Sequence, residues 1–339
     1  MAIKKFGSQT VKFQNPPSIV STYTIVGPKE GEGPLKKYFD MILEDDMWGQ
    51  ESFEKSEAKI QEETIKAALT NGNLTNNDID YLLSGDLLNQ IISSTYTARS
   101  LSIPYYGLYG ACSTMTESLS LGAMLIDGGF ADKVVCATSS HFSSAERQFR
   151  FPLEYGSQRN FGAQWTVTGS GATVLSSQGN GPYITYATTG KIIDMGIKDA
   201  TNMGAAMAPA AVDTLITHFK DTGYSPSSYD LIISGDLGKV GKSIVLDLMK
   251  KEGYDLSSIY TDCGVEIFDG DAQDTHAGGS GCGCSAVVLN GYIYKEMMKG
   301  NFRRILIMAT GALHSTIINQ QGESIPGIAH AVTIDVSKG

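Results

Sequence analysis

Cys112 is the side chain in this sequence best placed for covalent chemistry. It follows Gly110 and Ala111, small residues that permit a sharp strand-to-helix turn, and precedes residues 116–126, an apolar stretch whose one charge is Glu117. A buried helix starting there points unpaired backbone N–H groups and its positive dipole end at the thiol, an arrangement that lowers a thiol pKa or holds an anion. His276, in His-Ala-Gly-Gly-Ser-Gly, is the nearby histidine that could serve the thiol; its other reading is a loop-capping residue. Asp86 and Asp236 each close a Ser-Gly-Asp run, where an aspartate ordinarily bonds local backbone N–H groups. Cys282-Gly283-Cys284 is one Cys-x-Cys without a second pair, a weak metal signature that reads better as buried structure, and Cys136 and Cys263 read as core.

The elements that position these residues occur twice. Residues 51–70 carry apolar side chains at helical spacing (Phe53, Ala58, Ile65, Ala68, Leu69), then Asp80 to Leu83 reads as a short buried strand stopped by Ser84-Gly85-Asp86-Leu87. Residues 210–237 repeat that order at an offset of 150, so Asp80 matches Asp230 and Asp86 matches Asp236. Residues 111–138 and 283–310 each run from Cys-Ser through a helix and a glycine into a strand ending Ala-Thr; here the offset is 172, and Cys112 pairs with Cys284. The larger offset predicts about 22 extra residues between Asp236 and Cys284. Each half reads strand, helix, strand, helix, strand, which predicts parallel sheets with helical crossovers. The expected organisation is an N-terminal half, residues 1–180, and a C-terminal half, 181–339, folding as one cooperative unit.

Composition narrows the function classes. The chain has 339 residues, 42% of them hydrophobic and 18% charged, with 38 glycines, as a compact globular protein with many turns does. A formal charge of −10 opposes a broad electrostatic grip on nucleic acid or anionic lipid. No run approaches 18 consecutive apolar residues, the first ten residues lack a secretory pattern, and five cysteines lack the density of a disulfide scaffold, so synthesis in the cytoplasm is expected.

Residues 105–126 (YYGLYGACSTMTESLSLGAMLI) resemble the nucleophile turn of the thiolase superfamily, in particular its 3-oxoacyl-carrier-protein synthase III branch. The run ahead of it from Asn89, and QWTVTGSGATVLSS after it, extend the likeness. The resemblance implies an α/β thiolase fold: duplicated βαβαβ halves in a five-layer αβαβα sandwich, commonly dimeric through an edge strand. It also implies that the cysteine needs a histidine and an asparagine, or two histidines. This sequence departs from that pattern, with Gly235-Asp236 where the family places its first histidine and Gly278-Gly279-Ser280 where it places its asparagine. Cys112 is then a vestigial nucleophile, unless a register slip brings His276 beside it.

The run VGPKEGEGPLKKYFD (residues 26–40), the Ser-Gly-Asp-Leu repeat and the run HAGGSGCGCS resemble one non-catalytic group within that fold, the stage V sporulation protein AD family of spore-forming bacteria. That resemblance implies binding of dipicolinic acid (pyridine-2,6-dicarboxylate) and its uptake into the forespore with membrane proteins of the same operon. It further implies a peripheral place at the spore inner membrane, a part in germination and a homodimer, with no cofactor beyond calcium accompanying the ligand. The alternative is an acyl-thioester condensing enzyme using Cys112 as nucleophile. A flat dianion calls for guanidinium or imidazole donors, a helix N-terminus and an aromatic slot. The expected ligand site is therefore Cys112, Asp86, His141, Arg159, Trp165, Asp236 and His276. Three of the six arginines, Arg147, Arg150 and Arg159, fall in one stretch with His141, Phe149, Phe151, Tyr155 and Trp165. The other reading of Arg147 and Arg150 pairs them with Glu146 and Glu154 at the surface. Asp86 and Asp236 could hold the calcium.

Overall fold

A computed structural model describes residues 3–149 and 160–338. Ten strands carry the architecture. The first half holds β1 (Ser18–Val26), β2 (Tyr81–Gly85), β3 (Tyr105–Gly107), β4 (Lys133–Ser140) and β5 (Gly169–Ser176). The second holds β6 (Tyr183–Thr188), β7 (Leu231–Ser234), β8 (Tyr260–Asp262), β9 (Arg304–Ala312) and β10 (Gly327–Asp335). Helices α1 (Phe53–Asn71), α2 (Ile92–Leu101), α3 (Thr114–Asp127) and α4 (Phe142–Phe149) belong to the first half; α5 (Met203–Thr222), α6 (Gly238–Lys251) and α7 (Cys282–Val287) belong to the second.

The strand order is β8-β7-β9-β10-β6 in one half and β3-β2-β4-β5-β1 in the other, the same arrangement twice, meeting where Tyr183 of β6 pairs Ser18 of β1. This is the duplication that the repeat predicts, in the arrangement that the thiolase resemblance implies. The sheets are mixed where helical crossovers alone predicted parallel ones. β2 pairs β3 and β4 in parallel, but β5 runs against both β4 and β1, and β10 runs against β9 and β6. In the second half the cause is residues 313–326, which turn back at the end of the sheet where β9 finishes, so β10 must run the other way.

Layering follows from which faces each helix can bury. α1 is amphipathic, with Ile60, Ile65, Ala68 and Leu69 buried and its start capped by Ser52, whose hydroxyl accepts the Lys55 N–H; it covers the outer face of one sheet, against β1, β4 and β5. α5 covers the other sheet in the same way, against β9 and β10. α3 lies between the two sheets, touching β2 and β4 on one side and β9 and β10 on the other. Its Met115, Leu119, Ala123 and Ile126 are buried, the three larger side chains contributing about 1.5–3 kcal/mol each. Its polar side chains are buried too, and they bond to their own helix: Thr114 to the Ala111 carbonyl, Ser118 to Met115 and Ser120 to Thr116. The extra residues of the second half form a short helix, Cys263–Ile267, and the loop that leads to a bridge in which Gly279–Ser280 pairs Trp165–Thr166.

Candidate functional site

The Cys112 turn sits where the two halves touch. Ala111 holds φ at +50°, a left-handed value that costs a non-glycine residue about 1 kcal/mol or more, and it swings Cys112 to the head of α3. From the other half Gly311 of β9 approaches so near that a Cβ there would lie 2.2 Å from the Gly110 carbonyl oxygen. Only a glycine fits that contact.

Across the turn stands Asp236, at the end of β7. Its carboxyl is fully buried and accepts three hydrogen bonds, from the Thr310 hydroxyl at 2.9 Å, the Gly281 N–H at 3.0 Å and the Ser280 hydroxyl at 3.2 Å, and the Cys112 thiol lies beside it. Burial pushes this carboxyl up to about 6, partly offset by those donors. The effect on the thiol is the reverse of what the helix N-terminus alone predicts. Burial first, and the neighbouring Asp236 second, push Cys112 well above an ordinary thiol, which favours S–H over thiolate.

Beside this pair lies a pocket with a volume of about 70 Å³ at the carboxyl ends of the central strands. Leu87, Cys112, Ala145, Glu146 and Phe149 line it from the first half, and Met203, Met207, Ser280, Ala312 and His314 from the second. Gln164 and Thr166 complete the wall. The Gln164 side chain ties it to the floor, donating from Nε2 to the Asp236 carbonyl at 2.6 Å and the Gly279 carbonyl at 2.8 Å. A second hollow, lined by Asn89, Ile91, Tyr109, Gln148 and Ile317, shares Phe149 and His314 with it.

Of the residues expected in a ligand site, the structure brings Cys112 and Asp236 together and places Asp86, His141, Trp165 and His276 elsewhere. Asp86 is buried but turned to its own backbone, accepting the Leu88 N–H at 2.8 Å and the Ser94 N–H at 2.7 Å, which is the turn-capping alternative. His141 is buried behind the wall, its Nε2 2.8 Å from the Asp46 carbonyl and its Nδ1 accepting the Ser143 N–H; burial lowers its pKa, so it is neutral. Trp165 points away from the pocket that its neighbours Gln164 and Thr166 line, because side chains alternate along the short bridge. It stacks on Phe142 with centroids 3.7 Å apart, under the Lys29 ammonium, in a separate surface hollow. His276 is outside the Cys112 pocket, with Asp274 at 3.4 Å and the Phe161 ring edge-on. Arg159, with Arg150, Phe151 and Tyr155, lies outside the described residues. Arg147 pairs with Glu54 of α1, not with Glu146.

The Cys282 thiol donates to the Ser139 carbonyl at 3.0 Å, and Cys284 is packed in the core, so the Cys-x-Cys pair is structural. Among the described residues no group of three or more histidine, cysteine or acidic side chains is placed to hold a metal ion.

The sequence reading missed Gln164 and His314. Both carried a signal. Gln164 opens the run QWTVTGSG, and His314 follows the Ala-Thr end of β9 much as His141 follows the Ala-Thr end of β4, so the internal repeat reaches a few residues further than its quoted limits.

Residues 7–335 match the stage V sporulation protein AD family. A relative from Bacillus subtilis (strain 168), itself a stage V sporulation protein AD, is 47% identical over 337 residues, spanning 99% of both chains. The chain belongs to this family. Solved structures of the same fold include Xanthomonas campestris OleA carrying E117Q, at 14% identity, a TM-score of 0.63 and coverage of 95% of this chain and 97% of that one. The Aquifex aeolicus 3-oxoacyl-[acyl-carrier-protein] synthase III is another, at 12% identity, a TM-score of 0.54 and coverage of 94% and 99%. Likeness at that identity is likeness of fold. Family membership gives the chain a sporulation role. No helix among the described residues is long and apolar enough to cross a membrane.

Proposed function

We propose that this protein binds dipicolinic acid without transforming it, in the pocket beside Cys112, and so supports uptake of that acid into the developing spore. The observation that carries the non-catalytic part is the Cys112–Asp236 pair. A condensing enzyme needs a thiolate, and here a carboxyl beside the thiol takes the place of the activating imidazole and opposes ionisation. The pocket supports a small, flat ligand: Leu87, Ala145, Phe149 and Met207 supply apolar walls, and Cys112, Ser280 and Gln164 bring polar atoms into the lining around Asp236.

Peripheral attachment at the spore inner membrane, and work with membrane proteins of the same operon, belong to the same proposal. So does calcium arriving bound to the ligand, since the described residues offer it no cage of their own. A homodimer is supported by β3, an edge strand with half-exposed Tyr106 on it and Tyr109 just beyond, which leaves backbone groups open to a second copy.

Calorimetric titration tests the ligand. Dipicolinate gives a saturable heat, isophthalate, which lacks the ring nitrogen, gives much less, and no heat from dipicolinate at millimolar concentration sinks the reading. Incubation with acyl-coenzyme A followed by intact mass leaves Cys112 unmodified; an adduct on wild type that is absent from Cys112→Ala would instead establish an acyl-transfer enzyme.

A further inference from the structure

The run VGPKEGEGPLKKYFD (residues 26–40), one of the marks of this family, contributes no residue to the lining of the Cys112 pocket. Its Lys36-Lys37-Tyr38 turn packs instead against the far end of the helical run that α7 begins, residues 282–298, and the loop after it. The Tyr38 ring meets Tyr292 edge-on at 4.9 Å, and Tyr292 meets Phe302 edge-on at 6.1 Å. Ammonium groups gather on this ladder. Lys37 and Lys299 lie 5.0 and 5.1 Å from the centre of the Tyr38 ring, and Lys295 donates to the Tyr38 carbonyl at 2.6 Å.

Like charges crowded round one ring repel unless something negative sits among them. The carboxyls at hand are already taken: Asp40 pairs with Lys295 at 2.7 Å, Glu296 with Lys299 at 2.7 Å and with the Asn301 amide, and Glu266 accepts the Thr261 hydroxyl. Lys36, Lys37 and Arg303 are exposed and pair with no acid among the described residues. Among them Met298 stands 59% exposed. The chain as a whole carries −10, but at physiological salt charges are screened beyond about 8 Å, so this patch acts on what touches it.

We propose that this patch seats directly on a bilayer of anionic phospholipid, with Lys36, Lys37, Lys299 and Arg303 at the headgroup phosphates and Met298 at the acyl boundary. The inference rests on the peripheral-attachment reading above and gives it a lipid contact and a face. Exposed cations round an exposed thioether, over a half-buried aromatic ladder, are what a membrane–water interface takes. An acidic peptide is held in a groove or along a sheet edge, whereas these side chains come from a turn, a helix end and a loop. Residues 282–298 are helical throughout and start beside the pocket, so the patch lies roughly 20 Å from it and leaves it free for its ligand.

The test is co-sedimentation of the full chain with phosphatidylcholine vesicles that hold about 30% phosphatidylglycerol, against vesicles of phosphatidylcholine alone. The wild type partitions onto the anionic vesicles at least tenfold better, and raising salt from about 0.1 to 0.5 M releases it. Replacing both Lys36→Gln and Lys37→Gln weakens partitioning about thirtyfold, and Met298→Asp about tenfold. Removing the same charge at the pocket end of the molecule, with Lys198→Gln and Lys239→Gln, changes it less than twofold. A cooperative urea transition confirms that each variant is folded. Equal partitioning of wild type and the Lys36, Lys37 variant overturns the assignment of this face. Binding to neither vesicle, with the wild type still in the membrane fraction of broken spores, overturns the lipid contact and gives the attachment to a protein partner. Absence of the wild type from that fraction overturns the attachment reading itself, and this inference with it.

Discussion

Asp86 and Asp236 end equivalent strands, β2 and β7, inside the same Ser-Gly-Asp-Leu tetrapeptide, and they face opposite ways. Asp86 turns back to cap the chain that follows it, taking the N–H groups of Leu88 and Ser94. In the second half that work passes to Asp262 of β8, which accepts the N–H groups of Leu237 and Gly238 at 2.8 and 2.9 Å and the Ser234 hydroxyl at 2.6 Å. With its own turn capped from the neighbouring strand, Asp236 is released to reach across to Cys112. A duplicated fold thus obtained a site from one copy by supplying a replacement cap, and kept the other copy as scaffold.

The comparison breaks first at Asp86. Asp86→Ala leaves two buried N–H groups without acceptors, and urea denaturation is expected to show a loss of about 4 kcal/mol, with dipicolinate titration unchanged for the folded fraction. A loss below about 1 kcal/mol would mean that the cap is dispensable and the two turns are not distinguished by it.

The next effect is on pH. The Asp236 carboxyl sits at about 6 in the folded chain against 3.8 ordinarily, so the folded state holds this proton more tightly than the unfolded one. Its stabilising contribution is complete at pH values below the ordinary carboxylate range and is lost as pH rises to 6, a fall of about 3 kcal/mol from this group. Urea midpoints taken at pH 4 and pH 7 will show a smaller fall in Asp236→Asn than in wild type.

Thiol chemistry gives a third, finer separation. Removing the neighbouring negative charge lets Cys112 ionise more readily, so Asp236→Asn is expected to speed alkylation of Cys112 by iodoacetamide about tenfold at pH 8, read by intact mass. Asp86→Asn leaves that rate unchanged. Smallest of all is His276→Ala: with this residue outside the pocket, stability moves by about 0.5 kcal/mol or less and ligand affinity by less than twofold.

What the sequence disclosed follows the same division. Periodicity and self-similarity located both Ser-Gly-Asp-Leu turns, the Cys112–Cys284 correspondence and the course of α1 and α3, because those are local patterns. The choice between capping and reaching across was beyond them. It depends on Thr310, Ser280 and Asp262 arriving beside Asp236 from other strands and loops, and nothing near residue 236 announces them. The thiol's state was misread for a related reason: the helix N-terminus is legible locally, whereas the burial that outweighs it is a property of both sheets closing over α3. Trp165 was lost to a single step of strand alternation, which turned its neighbours Gln164 and Thr166 into the pocket and the indole out.

α3 lies between the two sheets, and most of its length is shut off from water by both. Its amide hydrogens therefore have no local route to exchange with deuterium, and they are expected to leave only when the whole molecule opens, at the rate of global unfolding. The floor of the pocket is on this account the stiffest part of the protein. Any accommodation to an incoming ligand falls to the α4 wall and the adjoining hollow near Ile317, and ligand-induced protection from deuterium should be concentrated there, leaving the helix that carries the thiol as slow as before.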